Sequence, residues 1–226
     1  MISKHWLQTV VASILVFSAN SVPAQTAVQE WAQRYTHLVN ADDFALKVIA
    51  DSFGNVVVAG RTEGDMVVIK YSGGGIPLWT NGYDGPPKQF DEPTAMVVGG
   101  SGSVYLTGRS YGSSASSSFD FATIAYSGNG DALWANRYGG SANIGDQPSG
   151  IAVGPNGNIL VTGFANNTGT GNDYATIAYS PGGVALWTNH YSSVGNFADE
   201  AVAVVAGSQG SVFVRGVLTM ARTMIM

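Results

Sequence analysis

The sequence predicts an all-β chain, built as a β-propeller-like arc of four-stranded antiparallel blades and incomplete at its ends. Three observations lead there. Tryptophans recur 48, 55 and 53 residues apart with fixed companions. Each repeat contains four short apolar runs bounded by turn residues, the number of strands in a propeller blade. The second run of each repeat is apolar at consecutive positions, so both of its faces must be covered.

The chain opens with Met1-Ile2-Ser3-Lys4-His5, an apolar stretch from Val10 to Phe17, and Val22-Pro23-Ala24 before Gln25. A basic start, a short hydrophobic region and small residues at −3 and −1 make residues 1–24 a signal peptide cleaved after Ala24. The apolar stretch is shorter than the roughly 20 residues a membrane span needs. Localisation is therefore expected to be secreted, periplasmic or at the cell surface. With no cysteine in the chain, no disulfide or thiolate metal site is available, and packing must supply the stability. Only 11% of residues are charged, the net charge is −5, and Lys and Arg are scattered, which argues against nucleic acid as a partner.

The repeat domain is read as residues 25–216. Its anchors are Trp31-Ala-Gln-Arg-Tyr35, Trp79-Thr-Asn-Gly-Tyr83, Trp134-Ala-Asn-Arg-Tyr138 and Trp187-Thr-Asn-His-Tyr191. From each Trp an Asp follows at +12 (Asp43, Asp91, Asp146, Asp199), a Gly at +23 and another at +29. Upstream of three of them, a Tyr sits at −8 and an Asp at −14 (Asp65, Asp120, Asp173). A fixed period of this length marks a repeat architecture. The pattern gives one fourth-type strand at Trp31, three complete blades, and the first two strands of another. Segments such as Ser127-Gly-Asn-Gly130 and Pro155-Asn-Gly-Asn158 supply the hairpin turns. A parallel β-helix is the alternative fold, although its coils are shorter than this period.

The third copy reads Gly157-Asn-Ile-Leu-Val-Thr-Gly163, Asp173-Tyr-Ala175 and Gly183-Val-Ala-Leu-Trp187. These segments resemble the bacterial seven-bladed β-propeller repeat, or SBBP, and the resemblance runs from about residue 31 to 216. It implies an extracellular propeller and assigns no activity.

Residues 217–226 depart from the repeat. After Gly216 the other copies lead to Asp followed by an aromatic residue or Met, whereas this one reads Val217-Leu-Thr-Met-Ala-Arg-Thr-Met-Ile-Met226. The codons of Met224-Ile225-Met226, read two bases later, spell Asp, then Tyr, His or Asn, then a codon beginning with G. The expectation is a frameshift near Gly216 in a longer repeat protein, leaving edges open to edge-to-edge self-association.

The recurring Trp, Asn and Tyr of the fourth strand could stack sugar rings. Because every copy carries them, with Gln33 in place of Asn in the first, they are expected to pack between blades. The +12 aspartates Asp43, Asp91, Asp146 and Asp199 are the weak metal candidates, as a ring for Ca²⁺. Capping of turns is the preferred reading, and no cofactor is expected. No nucleophile elbow, zinc helix or repeated histidine points to catalysis, so the chain is not expected to be an enzyme. Only the loops after the +29 Gly vary, Ser110–Ser118 and Phe164–Asn172. Variable polar loops on a rigid rim carry specificity, which makes Tyr111, Phe164, Asn166 and Asn167 the ligand candidates. The expected function is a non-catalytic binding or scaffolding module for an extracellular protein or glycan. The alternative is an accessory domain or fragment of a larger secreted hydrolase.

Overall fold

A computed structural model describes residues 30–35, 42–86, 88–112, 118–142, 144–195 and 197–218. The signal peptide with its Ala24 cleavage site, most of the Ser110–Ser118 loop and the tail beyond Leu218 lie outside the described residues. The chain divides into two units, Met1–Glu30 and Trp31–Met226, and the described strands all fall in the second.

The fold is all-β. The first blade is formed by β1 (Asp43–Ala50), β2 (Val56–Thr62), β3 (Asp65–Tyr71) and β4 (Pro77–Tyr83). The second is β5 (Asp91–Val98), β6 (Val104–Tyr111), β7 (Phe119–Tyr126) and β8 (Ala132–Tyr138). The third is β9 (Gln147–Val153), β10 (Ile159–Asn167), β11 (Gly171–Tyr179) and β12 (Ala185–Tyr191). Among the described residues a fourth sheet holds two strands, β13 (Asp199–Ala206) and β14 (Val212–Leu218). Each blade is an antiparallel meander, and β1, β5, β9 and β13 pack in series as inner strands. No sheet closes on itself, so the sheets form an incomplete propeller-like arrangement. Antiparallel pairing throughout excludes the parallel β-helix.

Consecutive apolar residues on the second and third strands are explained by neighbours on both sides. Val57 and Ala59 face Val104 and Leu106 across the first blade junction. The intervening Tyr105 faces the other way, toward Ile159 and Val161 of the third blade. Among the described residues the corresponding strand β14 has a neighbour on one side only, and its burial alternates, with Phe213 61% and Val217 59% exposed. Burial here is set by the neighbouring blade, since the four second strands are alike in sequence.

The +29 glycines have a geometric cause. Each sits where the register between first and second strands slips, as between Thr162 and Gly163. A Cβ on Gly163 would lie 2.1 Å from the Gln147 carbonyl oxygen. Only glycine admits that approach at a β-bulge.

The blades are joined by one repeated latch. Trp31, Trp79 and Trp134 donate their indole Nε1–H to the carbonyls of Gly73, Gly128 and Pro181 in the next blade's outer hairpin, at 2.9, 3.1 and 2.9 Å. Two residues on, the amides of Gln33, Asn81 and Asn136 donate to Gly75, Gly130 and Gly183 at 3.0, 2.6 and 2.7 Å. Each indole also tilts over the last tyrosine of the next third strand, Tyr71, Tyr126 or Tyr179. The tryptophans of these three copies thus pack between blades.

One expectation needs correction. Residues Trp31–Tyr35 make the latch but are not a strand, because no described neighbour offers them a ladder. Strand β14 runs two residues beyond Gly216, with Val217 and Leu218 paired to Glu200 and Asp199.

One stabilising element is unrepeated. Lys70 on β3 reaches Asp51 in the first hairpin at 2.9 Å, and both side chains are buried. The Asp51 carboxylate also accepts from the Phe53 and Asn55 backbone and from the Asn55 amide. Burial pushes its pKa up, but these hydrogen bonds and Lys70 outweigh that and hold it at about 2.

Candidate functional site

The antiparallel meander places the hairpins between second and third strands at the same end as the connections between blades. On the third blade that end is the most elaborate. β10 and β11 run to nine residues each and close through Thr168-Gly169-Thr170. The loop expected over Phe164–Asn172 is therefore mostly strand, because its residues continue the ladder to the Asn167–Gly171 pair.

Between this hairpin and the connection Ser141–Ile144 lies an open cleft of about 550 Å³, lined by Ser141, Ile144, Asn166, Asn167, Thr168 and Thr170 among others. Asn166 and Asn167 thus come together. Phe164 and Tyr111 do not line the cleft. Tyr111 closes β6, stacks edge-on against Phe119 at 5.1 Å, and gives its carbonyl to Arg137.

Hydrogen bonds preset the polar groups. Asp146 accepts Gly140 N–H and Asn166 N–H, both at 2.6 Å, and so ties the connection to the hairpin. Ser141 donates its hydroxyl and its N–H toward Asn167 Oδ1, and Thr168 N–H donates to Ser141 Oγ at 3.1 Å. Asn167 Nδ2 donates to Asp173 at 3.1 Å and approaches His190 Nδ1 at 3.3 Å, while His190 Nε2 lies 2.9 Å from the Tyr138 hydroxyl. The two ring nitrogens of His190 thus link the hairpin amide to the Tyr138 hydroxyl of the neighbouring blade. Burial, assisted by the Asp146 charge, pushes the Tyr138 hydroxyl up to about 12. That hydroxyl stays protonated at neutral pH and keeps its own O–H to donate.

Sequence reasoning missed His190, Tyr138 and Ser141. A signal was present: the third residue after each Trp is Arg34, Gly82, Arg137 and His190 in turn, a variable place inside a fixed motif. In the second blade Arg137 pairs with Asp120 at 3.0 Å, where the third blade has the histidine network.

Among the described residues the +12 aspartates do not gather into a group of donors within 4.8 Å of one another. Asp91, Asp146 and Asp199 each accept the backbone N–H six residues earlier, from Gly85, Gly140 and Ser193, and so cap the entry to the next blade. Among the described residues the one acidic group with donors within 4.8 Å of each other is Asp65, Asp84 and Asp91. Burial raises the pKa of Asp65 and Asp91. Lys88 lies 3.1 Å from Asp84, and the Arg137 charge acts on Asp91, so positive charge is already supplied.

No protein-family model matches the sequence, and no curated protein matches it. Among solved structures, one match is a protein of unknown function from Bacteroides caccae, 13% identical, with a TM-score of 0.45. The match covers 80% of this chain and 55% of that one, so the chain spans little more than half of that protein's length.

Proposed function

We propose that this chain is an exported, non-catalytic binding module of the SBBP propeller type, and that the cleft on its third-blade rim recognises an extracellular protein or glycan. One observation carries the reading: the third blade departs from its siblings at the rim, where it gathers polar groups around a cleft of about 550 Å³. A scaffold of repeats needs no such departure for stability, and a binding site does. Asn166, Asn167 and Thr168 offer donors and acceptors on a hairpin held by a continuous ladder, and Ile144 beside them is 60% exposed. Fixed polar groups around an accessible apolar residue suit a hydroxyl-rich or peptide surface.

The test pairs a glycan array with a pull-down from the extracellular fraction, using the wild-type chain and Asn167→Ala. The reading expects at least one hit that weakens about tenfold in the variant at a temperature where its melting curve shows it still folded, because Asn167→Ala also removes the bonds to Ser141 and Asp173. Blank results from well-folded wild-type protein, or a hit that Asn167→Ala leaves unchanged, would count against it.

A further inference from the structure

Three complete latches and one half-latch lie along the described chain. In the complete ones, an indole N–H and a carboxamide meet two carbonyls of the next outer hairpin, and a tyrosine lies against the indole at 5.7, 6.0 and 5.7 Å. The first of them is informative. Trp31–Tyr35 makes the latch without belonging to any sheet, so the joint needs only the donor residues and a hairpin to receive them.

On β12 the same donors stand ready. Trp187 and Asn189 occupy the latch positions, yet neither side chain has a hydrogen-bond partner among the described residues, and Trp187 is 37% exposed. Beside them opens a cleft lined by Tyr174, Thr176, Trp187, Asn189, Val212 and Val214. Among the described residues β14 pairs with β13 alone, which leaves the edge that a third strand takes in the other blades.

We propose that this face binds, in trans, a β-hairpin of a second polypeptide built like the chain's own third and fourth strands. The hairpin's first strand adds antiparallel to the free edge of β14, its last tyrosine covers Trp187, and its turn carbonyls accept from Trp187 Nε1 and Asn189 Nδ2. Addition of a strand to an open sheet edge is an established recognition mode, with backbone bonds giving affinity and side chains selectivity. The formed latches restrict the occupant further. The turn residue under the indole is Gly75, Gly130 or Gly183, with φ of +82°, +96° and +84°. A Cβ there would come within 2.7, 2.7 and 2.6 Å of the ring. The partner hairpin must therefore carry glycine at that place. This inference does not rest on the rim-cleft reading, and the two can fail separately.

The test uses the full chain and a fluorescein-labelled synthetic peptide with the sequence of residues 171–191, followed by anisotropy. Saturable binding is expected, weakened about tenfold or more for a peptide carrying Gly183→Ala, and similarly for the chain carrying Trp187→Phe and Asn189→Ala. The peptide substitution leaves the protein untouched, so it decides the matter even if the double variant folds poorly. Absence of saturable binding, or binding indifferent to Gly183→Ala, would overturn the proposal. So would a dimer in sedimentation that the peptide does not disrupt, since a second copy would then hold the face.

Discussion

Replacing Trp134 by alanine isolates what a latch contributes. The indole is half-buried between Tyr105 and Tyr179, at centroid distances of 6.2 and 5.7 Å, and donates to Pro181 O at 2.9 Å. Truncating a fully buried tryptophan costs roughly 3–5 kcal/mol. Partial exposure lowers the packing loss, while the orphaned carbonyl and lost hydrogen bond add about 1 kcal/mol. The expected cost is about 3 kcal/mol, which for a chain of this size lowers the melting temperature by about 6–12 °C. Trp187 is the internal control, with the same strand position and no described latch partner. Its replacement should cost about 1 kcal/mol, from packing on its own sheet. Urea unfolding followed by circular dichroism measures both. Equal losses for Trp134→Ala and Trp187→Ala would refute the reasoning, because the cost would then come from the strand and not from the joint.

Other perturbations follow from the same geometry. Gly183→Ala combines a φ of +84° with a Cβ 2.6 Å from Trp134, so it should cost about 2–3 kcal/mol in chemical unfolding; Gly169→Ala, at φ +93° in open space, should cost only about 1 kcal/mol. Lys70→Met leaves the Asp51 carboxylate buried beside an apolar side chain and should cost roughly 3–5 kcal/mol. Because the folded-state pKa of Asp51 is depressed from 3.8 to about 2, its contribution is complete above pH 3.8 and lost as pH falls toward 2. Melting curves between those limits should steepen in their pH dependence for wild type and not for Asp51→Asn. Chelation with EDTA should leave the melting temperature unchanged, and a drop of more than a few degrees would point to a bound cation, with the Asp65, Asp84 and Asp91 group and the +12 aspartates as the places to look.

The repeat made the blades legible, because each strand type recurs with its own turns and its own glycine. It also marked the Trp and Asn of the fourth strand as packing residues, though their hydrogen-bond partners in the next blade could not be read without the blade-to-blade offset. Unrepeated features were the hard ones. Lys70 and Asp51 occur once and meet only when β3 folds over the first hairpin. The rim was misjudged for a different reason: Phe164–Asn172 is polar and glycine-bearing like a loop, yet antiparallel pairing extends it as a ladder. His190 was set aside because no other copy has a histidine at its place in the repeat, although singularity within a repeat is what a site requires.

The central structural claim is that the fourth sheet is open, and hydrogen exchange of the backbone amides tests it most directly. Amides of β6 and β10, paired on both sides and buried on both faces, should exchange only with global unfolding. In β14, amides turned toward β13 should be moderately protected, and those on the opposite edge should exchange orders of magnitude faster than their counterparts in β10. Protection of both edges of β14 at the level of β10 would contradict the account, because some strand would then already complete the blade.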